Sequence, residues 1–267
     1  MNKWSTLNDS KKDIITNVKE QWISLIDNES TNEHSVHEFI DNHSGLFFGT
    51  NEGFAISKVK LSDEYITDLV ILRDKASYGF EYELIELESP RDKTFTQKGN
   101  QSANLTEAIQ QIEDWQRWIQ NNPELAKKLF PSKKFNLTHI PQIKYTVIIG
   151  RREELSIHDD KRFQKTSNSG IEIRSFDYLT DKLSRNFFTD EPYYELPKDN
   201  NSSIKKIEDN EIYKLISPFR KSITYSGWKQ IIKSKKFYES HSAGWNWELF
   251  LDHIKNNETL LSEFNIS

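Results

Sequence analysis

Residues 66–72 read ITDLVIL and residues 78–88 read YGFEYELIELE, and these two runs decide the fold. The first, Ile66 to Leu72, is apolar and β-branched, the composition of a buried strand. The second, Tyr78 to Leu87, alternates with period two and is read as its neighbour. Asp68 lies inside the apolar run, where a carboxylate costs several kcal/mol of desolvation unless it is paired or holds a cation. Glu86 and Glu88 are two apart and share one face of the strand, while Leu87 points to the other. Neighbouring strands bring Asp68 to them. Converging hard carboxylate oxygens suit Mg²⁺ or Mn²⁺, and such an ion activates water and stabilises charge on a phosphate. A solvated ladder of Glu81, Glu83, Glu86 and Glu88 is the other pattern these residues fit.

Outward from the strands, residues 11–27 place Ile14, Ile15, Val18, Trp22, Leu25 and Ile26 at helical spacing. Residues 35–42 predict a short helix, with Ser35 as N-cap and Glu38 as capping-box partner. A helix over 104–120 carries the stripe Leu105, Ala108, Ile109, Ile112 and Ile119. Strands follow at Tyr145–Ile149 and Ile171–Ile173, then a helix from about Asp177. The order predicts an α/β (α+β) fold, a mixed central sheet flanked by helices. PKDNNSSIKK, residues 197–206, reads as a linker between a domain over 1–196 and a small helical C-terminal region over 207–267.

Composition limits the function classes. With no cysteine among 267 residues, disulfides and thiolate metal sites are excluded, which fits a reducing cytoplasm. No apolar run approaches the length of a membrane span. There is no phosphate-binding glycine loop, so no nucleotide cofactor is expected. The net charge is −5, but unevenly spread: ten Lys and Arg stand against eight Asp and Glu from residue 201 on, leaving 26 against 33 before it. An acidic domain still binds nucleic acid when its carboxylates hold metal ions and its basic groups line one rim.

The ordered set of motifs resembles a known family. Asp68, then Glu86-Leu87-Glu88-Ser89-Pro90, FTQKG (95–99) and LTEAIQQIEDWQRWI (105–119) look like the Shedu antiphage nuclease domain, a branch of the PD-(D/E)XK superfamily. HEFIDNHSGLFFG upstream, and VIIGRREEL and IEIRSFDYL downstream, extend the resemblance over roughly residues 33–185. It implies a restriction-endonuclease-like core and a Mg²⁺-dependent (or Mn²⁺-dependent) DNA endonuclease or nickase acting in bacterial defence, and a homo-oligomer. It implies Asp68 and Glu86 as metal ligands, Glu38 as the helical glutamate of the site, and Gln111 as the start of a Gln-x-x-x-Tyr element with Trp115 in the tyrosine place. Gln111 and Trp115 are i and i+4 and share a helix face.

One position departs from the superfamily pattern: Glu88 stands where a lysine is expected. A glutamate there is read as a further metal ligand or as a general base towards bound water. Lys93, Lys98 or Arg91 then supplies the missing positive charge. The alternative is an inactive nuclease-fold module that binds nucleic acid or a protein partner.

Other basic residues are candidate DNA contacts. Arg151 and Arg152 follow the strand YTVIIG, where phosphate binding and a solvated strand end fit equally. Between Arg220 and Lys236, Lys221, Lys229, Lys233 and Lys235 join them with no acidic residue, interleaved with Tyr225 and Trp228. His34 and His37 lack a third nitrogen or sulfur ligand, so a zinc site is not expected.

Overall fold

The computed structural model describes residues 9–48, 55–75, 79–132, 141–153, 159–188 and 221–233. The linker at 197–206 and Arg220 lie outside the described residues. The chain builds an α/β fold on a six-stranded sheet of order β5-β4-β3-β2-β1-β6. Its strands are β1 (Ala55–Ser57), β2 (Leu69–Asp74), β3 (Phe80–Leu87), β4 (Gln142–Ile148), β5 (Ile171–Arg174) and β6 (Ile223–Thr224). β1, β2 and β3 run antiparallel in turn, whereas β3–β4, β4–β5 and β1–β6 are parallel.

Helices cover both faces. α4 (Ala103–Asn121), α5 (Pro123–Leu129) and a late helix, α8 (Tyr225–Lys233), contribute to one core, with Val70, Leu72, Tyr82 and Leu84 from the sheet. α1 (Asp9–Asp27), α2 (Glu33–Asn42), α3 (Ser44–Phe48) and α7 (Phe176–Phe188) contribute to the other, with Leu69, Ile71, Ile85 and Leu87. A further helix, α6 (Asp159–Ser169), leads into β5. Every residue of β3 is buried, which is why its alternating pattern divides side chains between two cores rather than between core and solvent. Glu86 shares its face with Tyr82 and Leu84, the face that α4 covers.

β2 starts at Leu69, not at Ile66 as its apolar content suggested. Ile66 instead forms an isolated bridge with Lys60 and is 38% exposed. The reason is a tight extension of the β1–β2 hairpin: Lys58 N–H donates to the Asp68 carbonyl and Thr67 N–H to that of Val59, both at 2.9 Å. Lys58 has a left-handed backbone, φ 50°. That breaks the strand alternation, so Ile56 before it and Val59 after it enter the same core.

α2 also begins earlier than its sequence pattern predicts. Asn32, not Ser35, is the N-cap, and its side chain accepts from Ser35 N–H at 2.9 Å. Asn caps as well as Ser does. The earlier start places Glu33 in the first turn, where the helix dipole favours an acid.

Of the helical C-terminal region expected over 207–267, the described residues are 221–233, which hold one helix and one strand of this sheet. β6 pairs with β1, and Trp228 of α8 is fully buried, its indole N–H donating to the Leu129 carbonyl at 2.9 Å. No helix among the described residues is long and apolar enough to cross a membrane.

Candidate metal centre

Strand register assembles the site. Ser57 pairs with Leu69 and Lys60 bridges Ile66 in the same register, which sets Lys58 opposite Asp68. Leu69 pairs with Ile85, so the next step sets Asp68 opposite Glu86. Three adjacent chain segments thus bring a lysine, an aspartate and a glutamate into one row across the sheet, where opposite side chains meet.

Asp68 is buried at 5% exposure, and both its oxygens are engaged. The Lys58 ammonium donates to Oδ1. Leu87 N–H donates to Oδ2 at 2.7 Å. The Asp68 carbonyl is also held by His37, whose Nε2 lies 3.1 Å away and so carries the proton. His37 is buried and its Nδ1 lies 3.5 Å from Asp41. Its place is beneath Asp68, as a support for the backbone.

Glu86 is 7% exposed, and its Oε2 is buried without any hydrogen-bond partner. Burial raises its pKa well above the usual carboxylate range, and Asp68, Glu88 and Glu33 raise it further. Glu88 is half-buried and pushed up to about 7, first by burial and then by Asp92, Glu33, Asp68 and Glu107. Glu33 is raised too, by burial and then by Asp68, with Lys58 pulling the other way. Burial opposes the charge on Lys58, but Asp68, Glu33 and Glu86 outweigh it and hold the ammonium on.

Glu83, three residues earlier on the same strand, provides the contrast. Burial would raise it, yet its pKa lies below the usual value because Arg73 and Thr146 hold the charged form. Arg73 approaches its Oε2 at 2.5 Å and Thr146 donates to Oε1 at 2.6 Å. Glu81 is paired with Arg73, Lys75 and Lys144. Glu81 and Glu83 therefore form a closed ion network on the other face of the sheet, not a solvated ladder with Glu86.

The carboxylates fit a divalent cation. An orphaned buried oxygen on Glu86 faces an excess of negative charge that Lys58 alone does not balance. Among the described residues no three His, Asp or Glu side chains form a ready-made cage. Mg²⁺ does not require one, since it keeps waters and binds through one or two carboxylates plus substrate phosphate.

The structure redistributes the other residues singled out from the sequence. Glu33 and Glu38 are both exposed on α2, and of the two it is the charge of Glu33 that raises Glu86 and Glu88. Gln111 and Trp115 line one cleft of about 580 Å³ together with Ile66 and Glu107, while Lys58, Asp68 and Glu86 are not among its lining residues. Trp115 is fully buried, and its indole nitrogen has no partner. Arg151 does not face this site. It pairs with Asp177 and Asp27 and donates to the Ile26 carbonyl, tying α7 to the end of α1. Arg152 pairs with Asp181. Arg91 donates to the same Ile26 carbonyl, and Lys93 and Lys98 are exposed. Lys221 is exposed, and Lys229 and Lys233 line a second groove described below.

Lys58 and Glu33 are charged neighbours of the row that the sequence did not single out. Neither has a motif. Only the hairpin register reveals the first, and only the Asn32 cap the second.

The chain thus combines a mixed α/β sheet with a carboxylate row of which Asp68 is paired and Glu86 is not. The family described as Shedu protein SduA, C-terminal, matches residues 30–180, and the chain belongs to it. The match spans the whole row and both helices that flank it, α2 and α4. Membership suggests a role in defence against phage. Searches of curated proteins and of solved structures each found no match.

Proposed function

We propose that this chain is a metal-dependent deoxyribonuclease of the PD-(D/E)XK type, cutting or nicking DNA by hydrolysis of a phosphodiester. The observation that carries the proposal is the buried, unpartnered Oε2 of Glu86 opposite Asp68. A carboxylate this desolvated is ionised at neutral pH only with a cation beside it.

Asp68 and Glu86 would hold Mg²⁺ or Mn²⁺, and Glu33 and Glu88, whose charges already act on Glu86, would tune the site. The bound ion supplies a lowered water pKa and neutralisation of phosphate charge. Glu88, poised near pH 7, takes the proton of the attacking water. The water oxygen bonds to phosphorus, and the bond from phosphorus to the leaving sugar oxygen breaks. Lys58, at the end of β1 and bonded to Asp68, is the cation nearest the row and takes the part of the missing lysine in this reading. Its ammonium stabilises the growing negative charge on the phosphate.

Cleavage of plasmid and linear DNA with Mg²⁺ or Mn²⁺ tests this, comparing wild type with Asp68→Ala and Glu86→Ala. Loss of cutting in both variants supports the assignment, and equal cutting by all three proteins removes it. One observation favours a second function: Lys58 already neutralises Asp68. On that alternative the chain is an inactive binding module, with salt-dependent DNA affinity that survives Glu86→Ala and needs no metal.

A further inference from the structure

A second groove lies beside the cleft of Gln111. Its volume is about 440 Å³, and its lining holds four lysines, Lys60, Lys128, Lys229 and Lys233, and no acidic residue. Lys229 and Lys233 are i and i+4 on α8 and share one face. Lys128 comes from α5, and Lys60 from the turn two residues beyond Lys58. The floor is apolar and aromatic, with Leu61, Trp118 and Tyr225 among its residues. Trp118 and Tyr225 are half-buried against the core, and Lys229 Nζ stands 4.5 Å over the Tyr225 ring. The groove and the cleft are neighbours. α4 gives Trp115 to the cleft and Trp118 to the groove, and the turn after Lys58 gives Ile66 to the one and Leu61 to the other.

The charges differ sharply between the two. The cleft is lined by Glu64, Glu107 and Asp114, an environment that repels a polyanion. Positive charge for the flanking phosphates is therefore concentrated in the groove. The floor narrows the ligand further. A duplex keeps its bases paired and stacked, so it offers an aromatic floor few base faces to stack on. A single strand presents both phosphates and unstacked bases, the combination that lysines over aromatic rings receive. A free nucleotide carries its charge at one end, whereas these lysines come from three separate elements.

We propose that this groove binds a single DNA strand next to the carboxylate row, phosphates on the four lysines and bases on Trp118 and Tyr225. The proposal rests on DNA being the substrate, but not on its being cut. The test is fluorescence anisotropy of a labelled oligothymidylate with the full chain in EDTA. Wild type binds the probe, and the Lys229→Ala/Lys233→Ala protein binds it about tenfold or more weakly. The slope of log affinity against log salt falls by about 1.4 for the two lysines. An abasic strand of equal length binds more weakly than the thymidylate, and thymidine monophosphate competes only at far higher phosphate concentration. The measurement is made without metal, where nothing is cut, which separates this result from any failure of cleavage. Unchanged affinity in the double variant overturns the proposal. So does equal affinity for the abasic strand or for a duplex, or displacement by the mononucleotide at matched phosphate.

Discussion

Asp68 stands opposite Glu86 one step beyond the Leu69–Ile85 pair, yet the two carboxylates have opposite surroundings. Asp68 accepts from Lys58 and from Leu87 N–H, while Glu86 Oε2 accepts from nothing. The row is therefore half satisfied. On the proposed function, a divalent cation would supply the partner that Glu86 lacks.

The first prediction concerns pH. The Glu88 carboxyl is raised from 4.5 to about 7 in the folded chain. Between those values the folded state holds a proton that the unfolded state has lost, so stability falls as pH rises through that window. Glu86, also raised, adds to the fall with the same sign. Thermal melts in EDTA should show a higher midpoint at pH 5 than at pH 8, with a smaller difference in Glu88→Gln. A wild-type curve as flat as that of the variant contradicts the raised carboxyl.

Lys58→Ala separates charge stabilisation from binding. Loss of one electrostatic contact to the reacting phosphate costs on the order of 10²-fold in rate. Cleavage at saturating DNA should slow by about that factor with KM little changed. A variant that cuts at the wild-type rate shows that Lys58 only balances Asp68.

Arg151 offers a test of the opposite kind. Its guanidinium holds Asp177, Asp27 and the Ile26 carbonyl. Removing these charge-assisted bonds in Arg151→Ala should cost about 2 kcal/mol in denaturant unfolding. DNA affinity should stay within about twofold. Reduced affinity with unchanged stability would return Arg151 to a phosphate-binding role.

Trp228→Ala checks that the late segment belongs to the main core. Trp228 is fully buried, 6.3 Å from the Tyr82 ring centre, and hydrogen-bonded to Leu129. Truncation should cost about 3–5 kcal/mol. A loss below about 1 kcal/mol would mean that residues 221–233 fold apart from the sheet.

The sheet's central strands, α1, α4 and the α/β class were legible because period two and period 3.6 survive in Leu84-Ile85-Glu86-Leu87 and in Leu105-Ala108-Ile109-Ile112. β1 and β6 were not, since three and two residues carry too little pattern and are defined only by their pairing. Asp68 and Glu86 were legible as charges in apolar company. Lys58 was hidden because its place opposite Asp68 depends on a left-handed backbone at a residue that sequence marks as ordinary. Glu38 entered through the family resemblance, and Ser35 with Glu38 also mimics a capping box, whereas Asn32 captures the helix start and brings Glu33 into the first turn. Arg151 and Arg152 read as phosphate ligands because Asp177 and Asp181, which neutralise them, are 26 and 29 positions away in sequence.

The most direct measurement is anomalous difference density from crystals soaked with Mn²⁺. A metal peak between Glu86 and Asp68, lost in Glu86→Gln crystals treated alike, is the predicted result. Soaked wild-type crystals with no peak there, and Lys58 still on Asp68, would contradict a metal centre on this row.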